Sequence, residues 1–546
     1  MNTKNLWKWG FVLFFALVLA SCSFGPDNTG KANTIPEMSD QRNFLAALKA
    51  MGNYTIDEAE LERQILQCIN PETAGRGIAP NEKTIITGSR KLPVSAQRIA
   101  NRSSYARSAV AEADTVEIYE FTTENTVSGE VGYVLASDDI RIGHFLAMTD
   151  GSLVDAEGEF GEYFNIALQN YIDSIVLTYN DITEAEVEAA LAEVGAETET
   201  VQSRISGPYN GNPDDWYHHA TTTNVAIQKS PLLMTNWGQG APYNAYIQQR
   251  YGTGIGVGCA TVAIAQIVAY NNYINPNAAS ENRMAPPFNN AMGNWTGQYN
   301  FIMLRRTSYI TNSSSAGIRG LVSALMYHVM REGMEGYYAQ EAVKNRDPSY
   351  SITAIYTGDF AQIFRNLGYT VSFADDATSL SGTTNGSWSI TYHSDSMTKV
   401  KNALNNNNPV LMRGAAIDIT TNKQKSGHAW VVDGYGTVTS VTEHYKYIGD
   451  DSSKGDQSVS RSMTMNNVIL VHCNLGWDGY NAGYAVVNGS QYAEQNQNNP
   501  HRKGWFIYGI FDTNNLSPEN KDIRKGNKDD GYNFSNNTYI VIPEKP

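Results

Sequence analysis

Residues 254–273, Gly-Ile-Gly-Val-Gly-Cys-Ala-Thr-Val-Ala-Ile-Ala-Gln-Ile-Val-Ala-Tyr-Asn-Asn-Tyr, constrain this chain more than any other stretch. Glycines at 254, 256 and 258 make a flexible approach that ends on Cys259. Val262, Ile264, Ile267 and Val268 then follow too densely for a surface stripe, which predicts a buried helix. A helix that begins at Cys259 sets the thiol among free backbone N–H donors, at the positive end of the helix dipole. Both favour the thiolate, which is the nucleophilic form. Taken alone, a cysteine in such a place is more often a small buried thiol, since free Cys is among the most buried residue types. The rest of the chain has to decide between the two.

With 546 residues the chain has room for two or three domains and a substantial core. It carries 55 acidic against 40 basic residues, a net charge of −15, with no basic patch, which argues against a nucleic-acid partner. Lys4 and Lys8 precede the apolar run Phe11–Ala20, which is too short to span a bilayer and reads as the core of a signal peptide over residues 1–21. Leu19-Ala20-Ser21-Cys22 resembles a bacterial lipobox, in which Cys22 is lipidated and becomes the mature N-terminus; an ordinary cleaved signal is the plainer alternative. The expectation is an exported protein held at the cell envelope or surface by its lipid. Lipidation would leave Cys68, Cys259 and Cys473, an odd and sparse set that is no disulfide framework.

Residues 22–39 read as a polar tether, and residues 40–194 as a small α+β unit. Phe44, Leu45, Leu48, Leu61, Ile65 and Leu66 recur at helical spacing, with a break near Gly52-Asn53. Residues 70–112 show no pattern. Val116–Thr122 and Gly132–Met148 alternate like strands, the latter with an Asp138-Asp139 turn between two apolar runs. Phe164–Leu177 reads as a helix, and Thr183 followed by Glu186 as the capping box of another over Ile182–Val194. Nothing here carries chemistry: His144 and Cys68 read as packing residues. His218-His219 lacks further metal ligands, and the acidic run Gly449–Asp456 lacks EF-hand spacing, so no metal and no cofactor is expected. Residues 195–215 form a polar linker ahead of a second unit, 216–546.

Four segments of that second unit are weak alone and coherent together. They are Cys259; a Gly-rich loop, Asn236–Asn244, that presents Gln239; His428, opening the apolar strand that contains Trp430 and Asp433; and Val468–Leu475, a buried strand ending in Asn474. Thiol acyl transfer needs a base to hold the thiolate, and His428 is the candidate. The base needs a partner on its other ring nitrogen, for which Asn474 is the first choice and Asp433 the second. The oxyanion needs preorganised donors, which the Cys259 N–H and the Gln239 side chain would provide.

The order Gln, Cys at a helix start, His on a strand, Asn at a strand end resembles that of papain-like peptidases, and more closely the streptopain family of secreted bacterial cysteine peptidases. The resemblance rests on Gln239-Gly-Ala-Pro-Tyr-Asn, Gly258-Cys259-Ala-Thr-Val-Ala-Ile-Ala-Gln266, Gly427-His428-Ala-Trp-Val-Val-Asp433-Gly and Asn474-Leu-Gly-Trp477-Asp-Gly. Leu321–Glu332, Phe364–Val371 and Val400–Met412 also look similar. It implies an α+β, two-lobed papain-like fold, with Cys259 and His428 facing across a cleft and Trp430 and Trp477 beside it. It further implies an endopeptidase of broad specificity that favours a hydrophobic residue at the second position before the scissile bond. The first unit then resembles an inhibitory propeptide, cut away within residues 195–215. One departure is Leu475, where the family has a tryptophan that shields the histidine's hydrogen bond, so a wetter bond is expected here.

Expected partners are therefore protein or peptide substrates, the chain's own prodomain, and the membrane through the lipid on Cys22, with no nucleic acid. Cleavage in the linker would release the catalytic half from its anchor. Two other readings share the shell: a surface binding protein with a degraded site, for which Leu475 is the only support, and a transpeptidase or amidase, which shares the acyl-enzyme step.

Overall fold

The computed structural model describes residues 38–51, 55–70, 83–92, 116–153, 158–196, 202–204, 216–251, 256–274, 304–308, 310, 314–333, 359–373, 396–418, 423–447, 457–476, 503–511 and 534–545. The fold is α+β, built on an antiparallel sheet. In chain order the helices that matter here are α1 (Met38–Met51), α2 (Glu58–Ile69), α3 (Gly158–Asp181), α4 (Glu184–Ala196), α5 (Ala245–Tyr251), α6 (Cys259–Asn271), α7 (Ala316–Gly333), α8 (Asp359–Asn366) and α9 (Ser396–Asn405). The strands are β1 (Thr84–Leu92), β2 (Ile118–Asn125), β3 (Val131–Ser137), β4 (Ala147–Thr149), β5 (Gln202–Arg204), β6 (Trp216–Lys229), β7 (Thr370–Phe373), β8 (Val410–Asp418), β9 (Lys423–Tyr447), β10 (Gln457–Asn474), β11 (Lys503–Ile507) and β12 (Phe534–Glu544).

All twelve strands belong to one sheet, ordered β1-β2-β3-β4-β11-β10-β9-β8-β12-β7, with β5 on β10 and β6 on β9. β9 is the spine: Lys423–Val432 pairs with β8, and Tyr435–Lys446 pairs with β6. Side chains alternate across it with period two. Ala429 and Val431 join the helical core of α5–α8, whereas Trp430 and Val432 join the core shared with α1–α3. Two hydrophobic cores therefore lie on opposite faces of this part of the sheet. The helical spacing of Phe44, Leu45, Leu48, Leu61 and Ile65 reappears as the buried stripe of α1 and α2. The capping box also forms, with Thr183 N–H donating to Glu186 Oε2 at 2.8 Å and Glu186 N–H to Thr183 Oγ1 at 3.4 Å.

Two local expectations are corrected. Residues 70–112, patternless in sequence, contain β1; most of its residues past Thr84 face solvent, so no alternating apolar set marks it. Asp138-Asp139 is no simple hairpin turn. Asp139 accepts from its near neighbour Arg141, N–H at 2.9 Å and Nη2 at 2.6 Å, with both side chains almost fully buried. The Arg141 guanidinium in turn lies 4.8 Å over the Tyr179 ring of α3. This internal pairing bends the chain away from β3 before β4 resumes. Among the described residues no helix is long and apolar enough to cross a membrane. The signal segment, Cys22, the tether up to residue 37, the 449–456 run and most of the linker lie outside the described residues; residues 38 and 39 already belong to α1.

Candidate active site

Cys259 is the first residue of α6 and is partly exposed, while Ala260 to Ala269 behind it are all buried. Gly258 precedes it at φ +88°, a conformation that a side chain would strain, so glycine is needed to bend the chain into the helix. No side chain caps this helix start. The Gln239 loop runs alongside: Val257 N–H donates to Gln239 O at 2.9 Å, two residues before the thiol. The loop is pinned by Trp237, whose indole N–H donates to Thr307 O at 3.3 Å, and by Asn236, whose N–H donates to Ser308 O at 2.8 Å. Gln239 itself is buried, and its Oε1 has no hydrogen-bond partner among the described residues.

His428 sits on β9 opposite Gly414 of β8, with 2% of its surface exposed. Its Nε2 lies 2.7 Å from the Leu475 carbonyl oxygen. A carbonyl can only accept, so Nε2 carries the proton and Nδ1 keeps a lone pair, the basic nitrogen that thiol chemistry requires. Trp430 stacks near the imidazole, 6.2 Å between centroids at 15°. Gly476, next to the orienting carbonyl, packs on Val262 in the first turn of α6: a Cβ there would stand 3.2 Å from Val262 Cγ1. Through these contacts the histidine's anchor and the cysteine's helix abut.

The structure revises the choice of orienting group. The Asn474 side chain donates to Thr235 O at 2.6 Å and accepts from Gln266 Nε2 and Gly476 N–H, each at 3.2 Å. It is the backbone of the following residue, and not the Asn474 amide, that meets His428. Asp433 is also spoken for: its Oδ1 lies 2.5 Å from His472 Nδ1, and its Oδ2 accepts from Leu233 N–H at 2.8 Å. Nor is the histidine's bond wet, since the Leu475 side chain is fully buried beside an imidazole that is nearly so. A main-chain acceptor has no residue letter, so nothing in the sequence could have named it. Gln266 did leave a signal, as an amide in the middle of a mostly apolar helix. Trp477 lies outside the described residues.

Cys473 is a contrasting thiol. Burial, and after it the negative charge of Asp433, push its pKa well above the ordinary value. Cys68 is likewise buried in the core, and His144 is buried with Nδ1 2.9 Å from Ser137 O. The partly exposed Cys259 is thus the thiol among these three that is placed for chemistry.

Residues 237–485 match the model of the Peptidase C10 family. No curated protein matches the chain. Two solved structures from Prevotella intermedia are similar to it. A prointerpain A fragment is 16% identical, covering 71% of this chain and 94% of that one with a TM-score of 0.33. The active wild-type interpain A cysteine protease is 18% identical, covering 52% and 94% with a TM-score of 0.27. The weight rests on the family match, whose span takes in Gln239, Cys259, His428 and Asn474.

Proposed function

We propose, on the premise that this chain carries a C10-type cysteine peptidase over residues 237–485, that it is an endopeptidase made as a zymogen. The Cys259 thiolate attacks the scissile carbonyl carbon, and the carbonyl oxygen takes up negative charge against the Cys259 N–H and a Gln239 side-chain N–H. His428, holding the thiol's proton on Nδ1, gives it to the departing amine as the C–N bond breaks. It then takes a proton from the water that attacks the acyl thioester, and returns it to sulfur. The observation that carries this reading is the uncapped helix start at Cys259 together with an imidazole fixed in one tautomer by Leu475 O.

The zymogen reading places the prodomain at 40–194, the cut within 195–215 and the catalytic unit at 216–546. It is supported by α3, which presses Tyr163 against the aromatic wall of the histidine, 5.9 Å from Trp430 between centroids. A Cβ at Gly414, the cross-strand partner of His428, would overlap that tyrosine ring. Export on a signal peptide, lipid attachment at Cys22 and preference for a hydrophobic second-position residue complete the proposal, on sequence grounds alone. The test is to purify the full chain beside its Cys259→Ala form and follow both by mass spectrometry. Loss of the first unit from the wild type alone is expected; equal processing of both, or of neither, contradicts self-maturation.

A further inference from the structure

Gln266 lies inside α6 with no exposed surface, among residues that are otherwise apolar apart from Thr261. A buried carboxamide is costly unless its hydrogen bonds are made. Here they are made to two other segments of the site. Gln266 Oε1 accepts from Thr235 Oγ1 at 2.8 Å, and its Nε2 donates to Asn474 Oδ1 at 3.2 Å. Asn474 Nδ2 donates to Thr235 O at 2.6 Å, which closes a ring of three residues. Asn474 Oδ1 also accepts from Gly476 N–H at 3.2 Å, so one amide grips the chain on both sides of Leu475.

Each member belongs to a different part of the machinery. Gln266 stands seven residues, about two turns, past Cys259 and on the same side of α6. Thr235 opens the segment that leads to Gln239. Asn474 and Gly476 flank the carbonyl that accepts from His428. A leucine or methionine at 266 would fill the same space without burying polar atoms, so packing alone does not explain an amide there. A satisfied buried network instead specifies one arrangement of the segments it joins.

We propose that Gln266 is a positioning residue, whose carboxamide holds the Leu475 carbonyl and the Gln239 loop in register with Cys259. The inference rests on the peptidase reading for its consequence, but its test does not depend on turnover alone. In the full chain, Gln266→Met keeps the shape and removes the amide; Thr235→Val removes one donor, and Thr235→Ser restores it. Two quantities are measured: kcat and KM on a peptide substrate, and the pH dependence of Cys259 alkylation by iodoacetamide, which needs no turnover.

Gln266→Met is expected to lower kcat about 10- to 100-fold with KM little changed, and to displace the alkylation profile along the pH axis. Thr235→Val should do the same more weakly, and Thr235→Ser should behave as wild type. A wild-type alkylation profile in Gln266→Met, with any activity loss matching lost folded protein, overturns the proposal. If that variant does not fold, Thr235→Val against Thr235→Ser decides the matter, and identical profiles for the two overturn it. Should the wild type cleave no peptide while the profiles still separate, the positioning role stands and the peptidase reading fails.

Discussion

Leu475 O is an unusually selective partner for an imidazole, because a carbonyl accepts and never donates, and so fixes His428 in a single tautomer. The complementary requirement is a donor for the oxyanion. Gln239→Ala is expected to lower kcat on the order of 10²–10³-fold, while Cys259 alkylation stays at the wild-type rate; equal kcat would remove Gln239 from the oxyanion site. Asp138, half-buried beside Asp139, has its carboxyl pushed up to about 6 from 3.8, first by burial and then by the neighbouring negative charge. The folded chain therefore holds that proton more tightly than the unfolded chain. This contribution favours folding at acid pH and is lost as pH rises through about 6. Asp138→Asn, which keeps the acceptor for Glu117 N–H, should stabilise the fold near neutral pH by about 1 kcal/mol after allowance for partial exposure. It should have little effect in acid, and thermal melts at the two pH values check this. At this scale the candidate thiol, imidazole and Gln239 amide could be picked out in the sequence because each is a side chain with a telling flank. The orienting acceptor was not, because peptide carbonyls are the same at every position.

Among elements, α3 packs against the strand that carries His428. Tyr163 is fully buried against Trp430, and also lies 6.5 Å from Phe511. Gly414 leaves the space for its ring. Tyr163→Ala should cost about 3 kcal/mol or more, as large aromatic truncations in cores do, and should hasten loss of the first unit. Slower or unchanged maturation would separate α3 from restraint of the site. α1 is tied to α4 by Arg42, whose Nε lies 2.6 Å from Glu186 Oε1, and to the end of α3 by Lys49, which donates to three of its last or following carbonyls. Helices such as α1, α2 and α6 were visible in sequence because burial repeats with the helical period or fills it. β1 was invisible because it is a mostly solvent-facing edge strand, held by backbone pairing to β2 that leaves no side-chain pattern.

Over the whole molecule, the two stretches that the sequence reads as separate units share one sheet and one core. β4 of the first pairs with β11 of the second, Thr149 with Gly504 and Ala147 with Phe506, and one core cluster spans both. Loss of the first unit would strip β11 of that neighbour and bare a sheet edge, which is a route to association unless something covers it. That continuity was not legible in sequence, because strand neighbours so far apart in the chain are chosen by the sheet as a whole. In the proposed mechanism every catalytic step turns on Cys259 as the nucleophile. The direct measurement is peptide release from casein by the wild-type chain, the same chain alkylated at Cys259, and the Cys259→Ala chain. Fragments from the untreated wild type alone are predicted; the same fragments at the same rate from Cys259→Ala would contradict it.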